Sequence, residues 1–338
     1  MPVMRISNAF VTLGLGCLLV ACGDSGSGNG GTGGDGTTGF PVIEGALRTP
    51  DAQFENLPDY DFEPHYMELG NLRVHYIDEG PRDGVPVVML HGEPTWSYLY
   101  RHLIPPVADA GHRVIVPDMV GFGKSDKPPS EFDHTYERHI AWLVGLFEAL
   151  DLEEIVLLIH DWGGPTGLRL AAENPELVRL LAVTNTFLPK NGVPGIGAVP
   201  DFVRMGVEAG PVSVIIQAGS FNGLTAAELA AYDAPYPDDT FKAGALAVPR
   251  IIKAISEQPV PPEVDAAWDV LGAWTKPVLT AHSDGDGFLG PFDAVFQDCI
   301  PGTEGQDHTV VTGAGHFVQE DNPDDLAEAL IAFIAANP

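Results

Sequence analysis

The sequence predicts an α/β fold built on a mostly parallel β-sheet with helices on both of its faces. From residue 46 onward, short runs of β-type residues alternate with stretches of helical spacing, the order expected when crossover helices join parallel strands. The run 155–159 is wholly apolar, which is typical of a strand buried on both faces. The chain has 338 residues, long enough for one large domain of this kind with an insertion.

The first 21 residues have the features of an export signal. Arg5 provides a positive start, and the apolar run from Ala9 to Val20 is too short to span a bilayer as a mature helix. Leu-Val-Ala before Cys22 resembles the lipobox of bacterial lipoproteins, in which the cysteine becomes lipidated. A plain secretory signal cleaved near Ala21 is the alternative. Both interpretations predict export to the periplasm, and the lipobox predicts anchoring to the outer membrane.

Residues 22–45 are predicted to be the lipidated cysteine and a flexible tether, because Gly23 to Gly39 is almost entirely Gly, Ser, Thr, Asn and Asp. The net charge of −30, from 17 Lys and Arg against 47 Asp and Glu, argues against nucleic-acid binding and against electrostatic docking on anionic lipid. We therefore expect no nucleic-acid partner, and membrane contact only through the lipid anchor. No oligomeric state is predicted.

The predicted elements follow one another as in an α/β-hydrolase fold. Those before the central apolar run are strands at Leu72–Asp78, Pro86–Leu90 and Arg113–Val116 and a helix at Tyr136–Leu150. Those after it are strands at Leu180–Thr184, Pro277–His282 and Thr309–Thr312 and a last helix at Pro323–Ala335.

The stretch I-V-L-L-I-H-D-W-G-G from Ile155 joins the central strand to a helix predicted over Pro165–Asn174. Asp161 therefore lies on a sharp strand-to-helix turn, the nucleophile elbow, where the usual G-x-S-x-G pattern has serine. A serine there suggests acyl transfer, whereas an aspartate suggests attack by a carboxylate and a covalent alkyl ester. The alternative is that Asp161 only caps the helix.

The loop after the strand at Pro86–Leu90 begins with H-G-E-P and could present a backbone N–H toward the elbow. Together with the N–H of Trp162, the residue after the candidate nucleophile, the N–H of Glu93 could form an oxyanion hole. A turn without function is the alternative for a Gly-Pro loop.

Two late loops supply the other candidates. The loop after the strand at Pro277–His282 contains two carboxylates, and we favour Asp286, at the loop apex, over Asp284 as the group that orients a histidine. Asp-Gly pairs are also common turn formers. His316 lies in a G-A-G-H loop after the last strand, and it is a candidate base because the chain order is nucleophile, acid, histidine.

These motifs together resemble the haloalkane dehalogenases. The resemblance is carried by the eleven-residue block H-G-E-P-T-W-S-Y-L-Y-R from His91, typical of the subfamily with Glu after His-Gly, and by V-P-D-M-V-G-F-G-K-S-D-K-P, I-H-D-W-G-G, D-G-F-L-G-P and A-G-H-F-V-Q-E. It extends from about residue 46 to the C-terminus. It implies an α/β-hydrolase core in two parts, 46–187 and 266–338, with a helical cap at 188–265.

By this resemblance Asp161 is the nucleophile, His316 the base and Asp286 the acid, an Asp-His-Asp triad. Glu93 and Trp162 match the oxyanion-hole donors, and the Trp162 indole matches one of two halide-binding N–H groups. The implied substrate is a small apolar halogenated compound, which the carboxylate attacks at saturated carbon to expel halide. Water deprotonated by His316 then hydrolyses the ester to a primary alcohol. The resemblance implies no metal and no organic cofactor.

The cap departs from the family at one position. The second halide-binding tryptophan usually lies there, yet no tryptophan occurs between Trp162 and Trp268. Met205 lies near the expected position, and a thioether cannot donate a hydrogen bond. Trp268 and Trp274, near the return of the chain into the core, are expected to pack. The motif A-Y-D-A-P-Y-P-D from Ala231 nevertheless resembles the family's cap pattern.

Three functions stay open from the sequence. The first is a haloalkane dehalogenase. The second is an epoxide hydrolase, which would use the same aspartate with Tyr232 and Tyr236 protonating the opening oxygen; Ile159 disfavours it, because such enzymes usually have glycine two residues before the nucleophile. The third is a tethered binding or sensory protein without turnover, motivated by the missing tryptophan.

Overall fold

A mixed β-sheet carries all of the predicted strands. The computed structural model describes residues 39–338, so the predicted signal 1–21, Cys22 and most of the predicted tether lie outside the described residues. The strands found in residues 39–338 are β1 (His65–Leu69), β2 (Leu72–Glu79), β3 (Pro86–Leu90), β4 (Arg113–Pro117), β5 (Ile155–Asp161), β6 (Val178–Thr186), β7 (Val278–Ser283) and β8 (Thr309–Val311).

The strand order is that of an α/β hydrolase, β1-β2-β4-β3-β5-β6-β7-β8. The pairs β1/β2 and β2/β4 are antiparallel, and every pair from β4/β3 to β7/β8 is parallel. The predicted fold class is confirmed. Among the strands of residues 39–338, β1 is the one that the sequence did not predict.

Alternate residues of the central strand contact two separate apolar clusters. Leu157 and Ile159 of β5 belong to the cluster on one face of the sheet, whereas Val156 and Leu158 belong to the cluster on the other face. Because both faces are buried, the strand is apolar at every position up to Ile159, which explains the unbroken apolar run in the sequence.

Helices cover both faces of the sheet. Helices α2 (Tyr136–Ala149), α3 (Gly163–Glu173) and α9 (Phe292–Cys299) contribute to the first cluster, and α1 (Ile104–Asp109), α10 (Val318–Asp321) and α11 (Pro323–Ala336) contribute to the second. In the part of the chain that the structure describes, no helix combines the length and apolar character needed to cross a membrane.

A helical segment separates β6 from β7. Its helices are α4 (Val199–Ala209), α5 (Ser213–Gly219), α6 (Ala226–Asp233), α7 (Ala243–Ile255) and α8 (Pro262–Leu271). The cap predicted at 188–265 contains the first four helices, and its predicted border falls inside α8. Because α8 packs on α3 of the core, the cap helices that can cover the sheet edge are α4 to α7.

A buried arginine ties this segment to the core. Arg101, the last residue of the eleven-residue block, donates to Glu320 of α10 at 2.8 Å and to Glu228 of α6 at 3.2 Å. The Arg101 side chain is fully buried, so these carboxylates must stabilise its positive charge in place of water. The contact fixes the cap relative to the loops at the carboxyl ends of the parallel strands, where ligand sites of such sheets lie.

Candidate active site

Asp161 lies at the carboxyl end of β5 in a backbone conformation that few residues other than glycine adopt. Its φ angle is +49°, in the left-handed region. The hydroxyl of Thr186 donates to its carbonyl at 2.7 Å, which fixes the turn. A methyl group on Gly92 would lie 2.2 Å from Asp161 Cβ, and one on Gly164 would lie 1.6 Å from Thr186 Oγ1. The glycines on either side of the aspartate therefore permit the turn.

The structure brings His316 and Asp286 to Asp161 from two other strand ends. His316 Nε2 lies 3.5 Å from Asp161 Oδ2, and His316 Nδ1 lies 2.8 Å from Asp286 Oδ2. The backbone N–H groups of Phe288 and Leu289 donate to Asp286 Oδ1 at 3.1 and 3.0 Å. These bonds fix the carboxylate that faces the imidazole.

Asp284, the other carboxylate of this loop, does not contact the imidazole. Its Oδ1 accepts from the N–H of Ala314 at 3.3 Å, in the loop that leads to His316. The distances therefore favour Asp286 over Asp284 as the partner of His316.

Two residues that sequence analysis did not single out hold the backbone of His316. The side-chain amide of Asn185, at the end of β6, donates to the carbonyl groups of Gly315 and His316 at 2.9 and 3.0 Å. His160 Nε2 lies 2.9 Å from the same His316 carbonyl, and the two imidazole rings lie 4.8 Å apart. Burial, and then the charge of His316, lower the pKa of His160 to about 3, so its ring is neutral and can donate.

A signal for both residues exists in the sequence. His160 directly precedes the candidate nucleophile, and Asn185 ends a strand next to the elbow strand. Asparagine tolerates the left-handed backbone found there, with φ of +37°. A polar residue at the end of a buried strand is thus informative even without a titratable group.

The N–H of Glu93 donates to Asp161 Oδ1 at 2.6 Å. This is the backbone contact that the loop after β3 predicts. Trp162 is fully buried at the start of α3, and its indole Nε1 has no hydrogen-bond partner among the described residues. An unpaired buried donor in the residue that follows Asp161 is a candidate for binding an anion.

The charge of Asp161 is set by opposing effects. Burial raises its pKa, but the hydrogen bond and charge of His316, and the N–H of Glu93, outweigh burial and lower the pKa. For His316, burial lowers the pKa, but its contacts with Asp161 and Asp286 outweigh it and raise the pKa to about 10. The group at rest is therefore one imidazolium between two carboxylates.

The Glu93 carboxyl group is buried, and neither of its oxygens has a hydrogen-bond partner in residues 39–338. Burial, and then the neighbouring Asp161 carboxylate, raise the pKa of Glu93 well above its usual range. Burial therefore favours the neutral form of Glu93, which adds no negative charge beside Asp161.

A cavity of about 450 Å³ lies over Asp161. Glu93, Asp161, Asp286 and His316 are the polar residues of its lining, and they lie together at one end. The rest of the wall is apolar and comes from the core and from the cap; it includes Phe187, Ile196, Val199, Val203, Ile215 and Leu289.

The two tyrosines weighed for an epoxide hydrolase lie away from this cavity. The hydroxyl of Tyr232 donates to Glu320, in the cluster around Arg101. The hydroxyl of Tyr236 is buried, and neither tyrosine belongs to the cavity lining. Neither tyrosine is therefore placed to protonate the oxygen of an epoxide in the cavity.

The two later tryptophans and the methionine near the expected halide position also lie outside the cavity. Met205 is 67% exposed and does not line it. The indole of Trp268 donates to the carbonyl of Pro189 at 2.8 Å, and Trp274 is buried. Among the described residues, no cluster of three or more His, Cys, Asp or Glu could hold a metal ion.

Known proteins are similar to this chain in sequence. Residues 85–323 match the family model described as alpha/beta hydrolase fold. The chain is 45% identical over 308 residues to a haloalkane dehalogenase of Psychrobacter cryohalolentis, covering 86% of this chain and 99% of that protein. It is 44% identical to a haloalkane dehalogenase of Mycolicibacterium paratuberculosis, covering 85% and 97% of the two chains.

A solved structure agrees with these relatives. The tetrameric haloalkane dehalogenase DpaA of Paraglaciecola agarilytica superposes with a TM-score of 0.74 at 33% identity, covering 86% of this chain and 98% of that one. The similarity thus spans the whole sheet and the helical segment between β6 and β7.

We predict that Glu93→Gln becomes more stable relative to the wild type as pH rises above 4.5 toward the raised pKa of Glu93. Folded wild type keeps a proton on Glu93 that the unfolded chain releases above a pKa of 4.5, so its free energy of unfolding falls as pH rises toward the raised pKa. Glutamine has no such proton. Urea unfolding should show the difference growing by about 1.4 kcal/mol for each pH unit between the two pKa values.

Glu304→Gln, at an exposed glutamate, controls for the loss of one charge from an acidic protein. If the stability difference between Glu93→Gln and wild type did not change with pH, Glu93 would be ionised in the folded protein.

Proposed function

This chain belongs to the haloalkane dehalogenase family of the α/β hydrolases and is an enzyme that cleaves carbon–halogen bonds, and on that basis we propose how its residues carry the reaction. We assign it to the subfamily with Glu after His-Gly, on the strength of Glu93. The observation that carries the mechanism is the position of Asp161, with one oxygen bonded to the Glu93 N–H and the other facing His316.

In the first step, Asp161 Oδ2 attacks the halogen-bearing carbon of the substrate. The new bond joins Oδ2 to that carbon, and the carbon–halogen bond breaks with its electron pair leaving on the halide. The lowered pKa keeps Asp161 ionised, and the apolar wall of the cavity removes water that would otherwise solvate the carboxylate.

The departing halide requires a hydrogen-bond donor that neither protonates it nor binds it irreversibly. The buried Trp162 indole N–H, which lacks a partner, fits this role. Because Met205 is mostly in solvent, we assign no donor from α4.

In the second step, the ester itself makes the base available. Two of the interactions that raise the pKa of His316 are the hydrogen bond and the charge of Asp161. Esterification removes that charge, so the pKa of His316 falls, its proton passes to solvent, and the neutral imidazole can accept a proton from water. Asp286 holds the ring and stabilises the imidazolium that forms.

The hydroxide then attacks Cγ of Asp161, and the charge that develops on Oδ1 is stabilised by the N–H of Glu93, with the N–H of Trp162 proposed as the second donor. Collapse of this intermediate releases a primary alcohol and restores the carboxylate. Water is the second substrate, and the scheme uses no metal or organic cofactor.

We predict that the chain releases halide and alcohol in equal amounts from bromoalkanes, and that Asp161→Asn lowers the rate by at least about 10⁴-fold because the nucleophile is lost. The measurement is halide and diol release from a panel of bromoalkanes and epoxides. Asp286→Asn should slow turnover strongly, whereas Asp284→Asn, a matched change in the same loop, should stay within about threefold of wild type. Diol from epoxides without halide from any bromoalkane would contradict the proposal.

We also propose that residues 1–21 direct export and that a lipidated Cys22 anchors the chain to the outer membrane, which the lipobox-like sequence and the Gly-rich tether support. Expressed in a bacterium with radiolabelled palmitate, the full chain should carry label and sediment with outer membranes, and Cys22→Ser should do neither. An unlabelled periplasmic protein cleaved near Ala21 would instead support a plain secretory signal.

A further inference from the structure

Two aromatic side chains are both part of the cavity wall and mostly in solvent. Phe202 on α4 is 63% exposed, and Phe288, in the loop after β7, is 69% exposed. Both line the cavity over Asp161. A side chain that lines a cavity and also meets solvent lies at the opening, so one ring from the cap and one from the core border the mouth.

The space behind the mouth is large compared with a short haloalkane. At about 30 Å³ for a water-sized group, a cavity of about 450 Å³ has room for about fifteen such groups. A two-carbon halide fills only a small part of that space. It would leave most of the apolar wall without contact to substrate.

The residues of the cavity wall also indicate which class of substrate is excluded. No lysine or arginine lines the cavity in residues 39–338, and the polar residues at its inner end include the carboxylates of Asp161 and Asp286. A substrate with its own carboxylate would therefore meet two carboxylates, and the cation of the lining, the His316 imidazolium, already lies between them. The tail of the substrate must be neutral and apolar to gain from this surface.

We infer, on the basis of the proposed function, that this enzyme prefers long-chain neutral halides, and that Phe202 and Phe288 are specificity-determining residues that contact the substrate tail at the mouth. The halogen-bearing carbon lies at Asp161, and the chain extends along the apolar wall between the two rings. Each methylene that moves from water to this wall improves transition-state binding by up to about fourfold, until the tail reaches the mouth.

The test compares kcat/KM for 1-bromopropane and 1-bromooctane. We expect wild type to favour the longer substrate by at least about tenfold. Phe202→Ala and Phe288→Ala should each lower kcat/KM for 1-bromooctane by about five- to tenfold. Phe202→Ala, which lies away from the loop that holds Asp286, should leave 1-bromopropane within about twofold, since only the long tail reaches its ring. Phe202→Leu, which restores an apolar side chain, should recover most of the loss.

Met205→Ala is the matched control, because Met205 is on the same helix and is similarly exposed but does not line the cavity. It should leave both substrates unchanged. Equal or better activity on 1-bromopropane, or loss of both substrates alike in Phe202→Ala, would overturn the inference while leaving the dehalogenase mechanism intact. Absence of halide release from both substrates in folded wild type would instead overturn the proposed function.

Discussion

The left-handed backbone at Asp161 is the constraint on which the site depends. A residue other than glycine held in this region costs about 1–3 kcal/mol and persists only where its surroundings fix it. Thr186 fixes it by bonding the Asp161 carbonyl, and the absent side chains of Gly92 and Gly164 leave space for the turn. Without that turn, β5 would continue, and the carboxylate would point to one face of the sheet instead of facing the cavity.

A second constraint is the number of charges in the site. One imidazole lies between Asp161 and Asp286, while burial raises the pKa of Glu93 and favours its neutral form. The proton on His316 is therefore stabilised as long as Asp161 is ionised. In the proposed mechanism, the first chemical step removes that ionisation, so the base becomes available when the ester needs water. The timing follows from electrostatics and requires no movement of the backbone.

The sequence predicts the central part of this structure because local rules and the fold agree there. The apolar run from Ile155 to Ile159 is buried on both faces, and the turn after it needs small residues on both sides. Spacing alone could not separate Asp286 from Asp284; the N–H groups of Phe288 and Leu289, which fix Asp286, depend on the folded loop.

Other features depend on contacts between distant parts of the chain. Asn185 holds the loop of His316, more than a hundred residues later, and neither residue alone indicates the contact. Helix α8 follows helical rules but packs on α3, so composition does not reveal that it rests on the core. The mouth of the cavity likewise needs Phe202 from the cap and Phe288 from the core to be seen together.

The central claim is that a carbon–oxygen bond forms on Asp161, and the mass of the protein tests it most directly. In His316→Phe, the ester should form but not hydrolyse, because no base activates water. After incubation with 1-bromooctane, the intact mass should rise by one octyl group, and the added mass should lie on the peptide that contains Asp161. An unmodified His316→Phe protein, still folded and after prolonged incubation, would contradict the account.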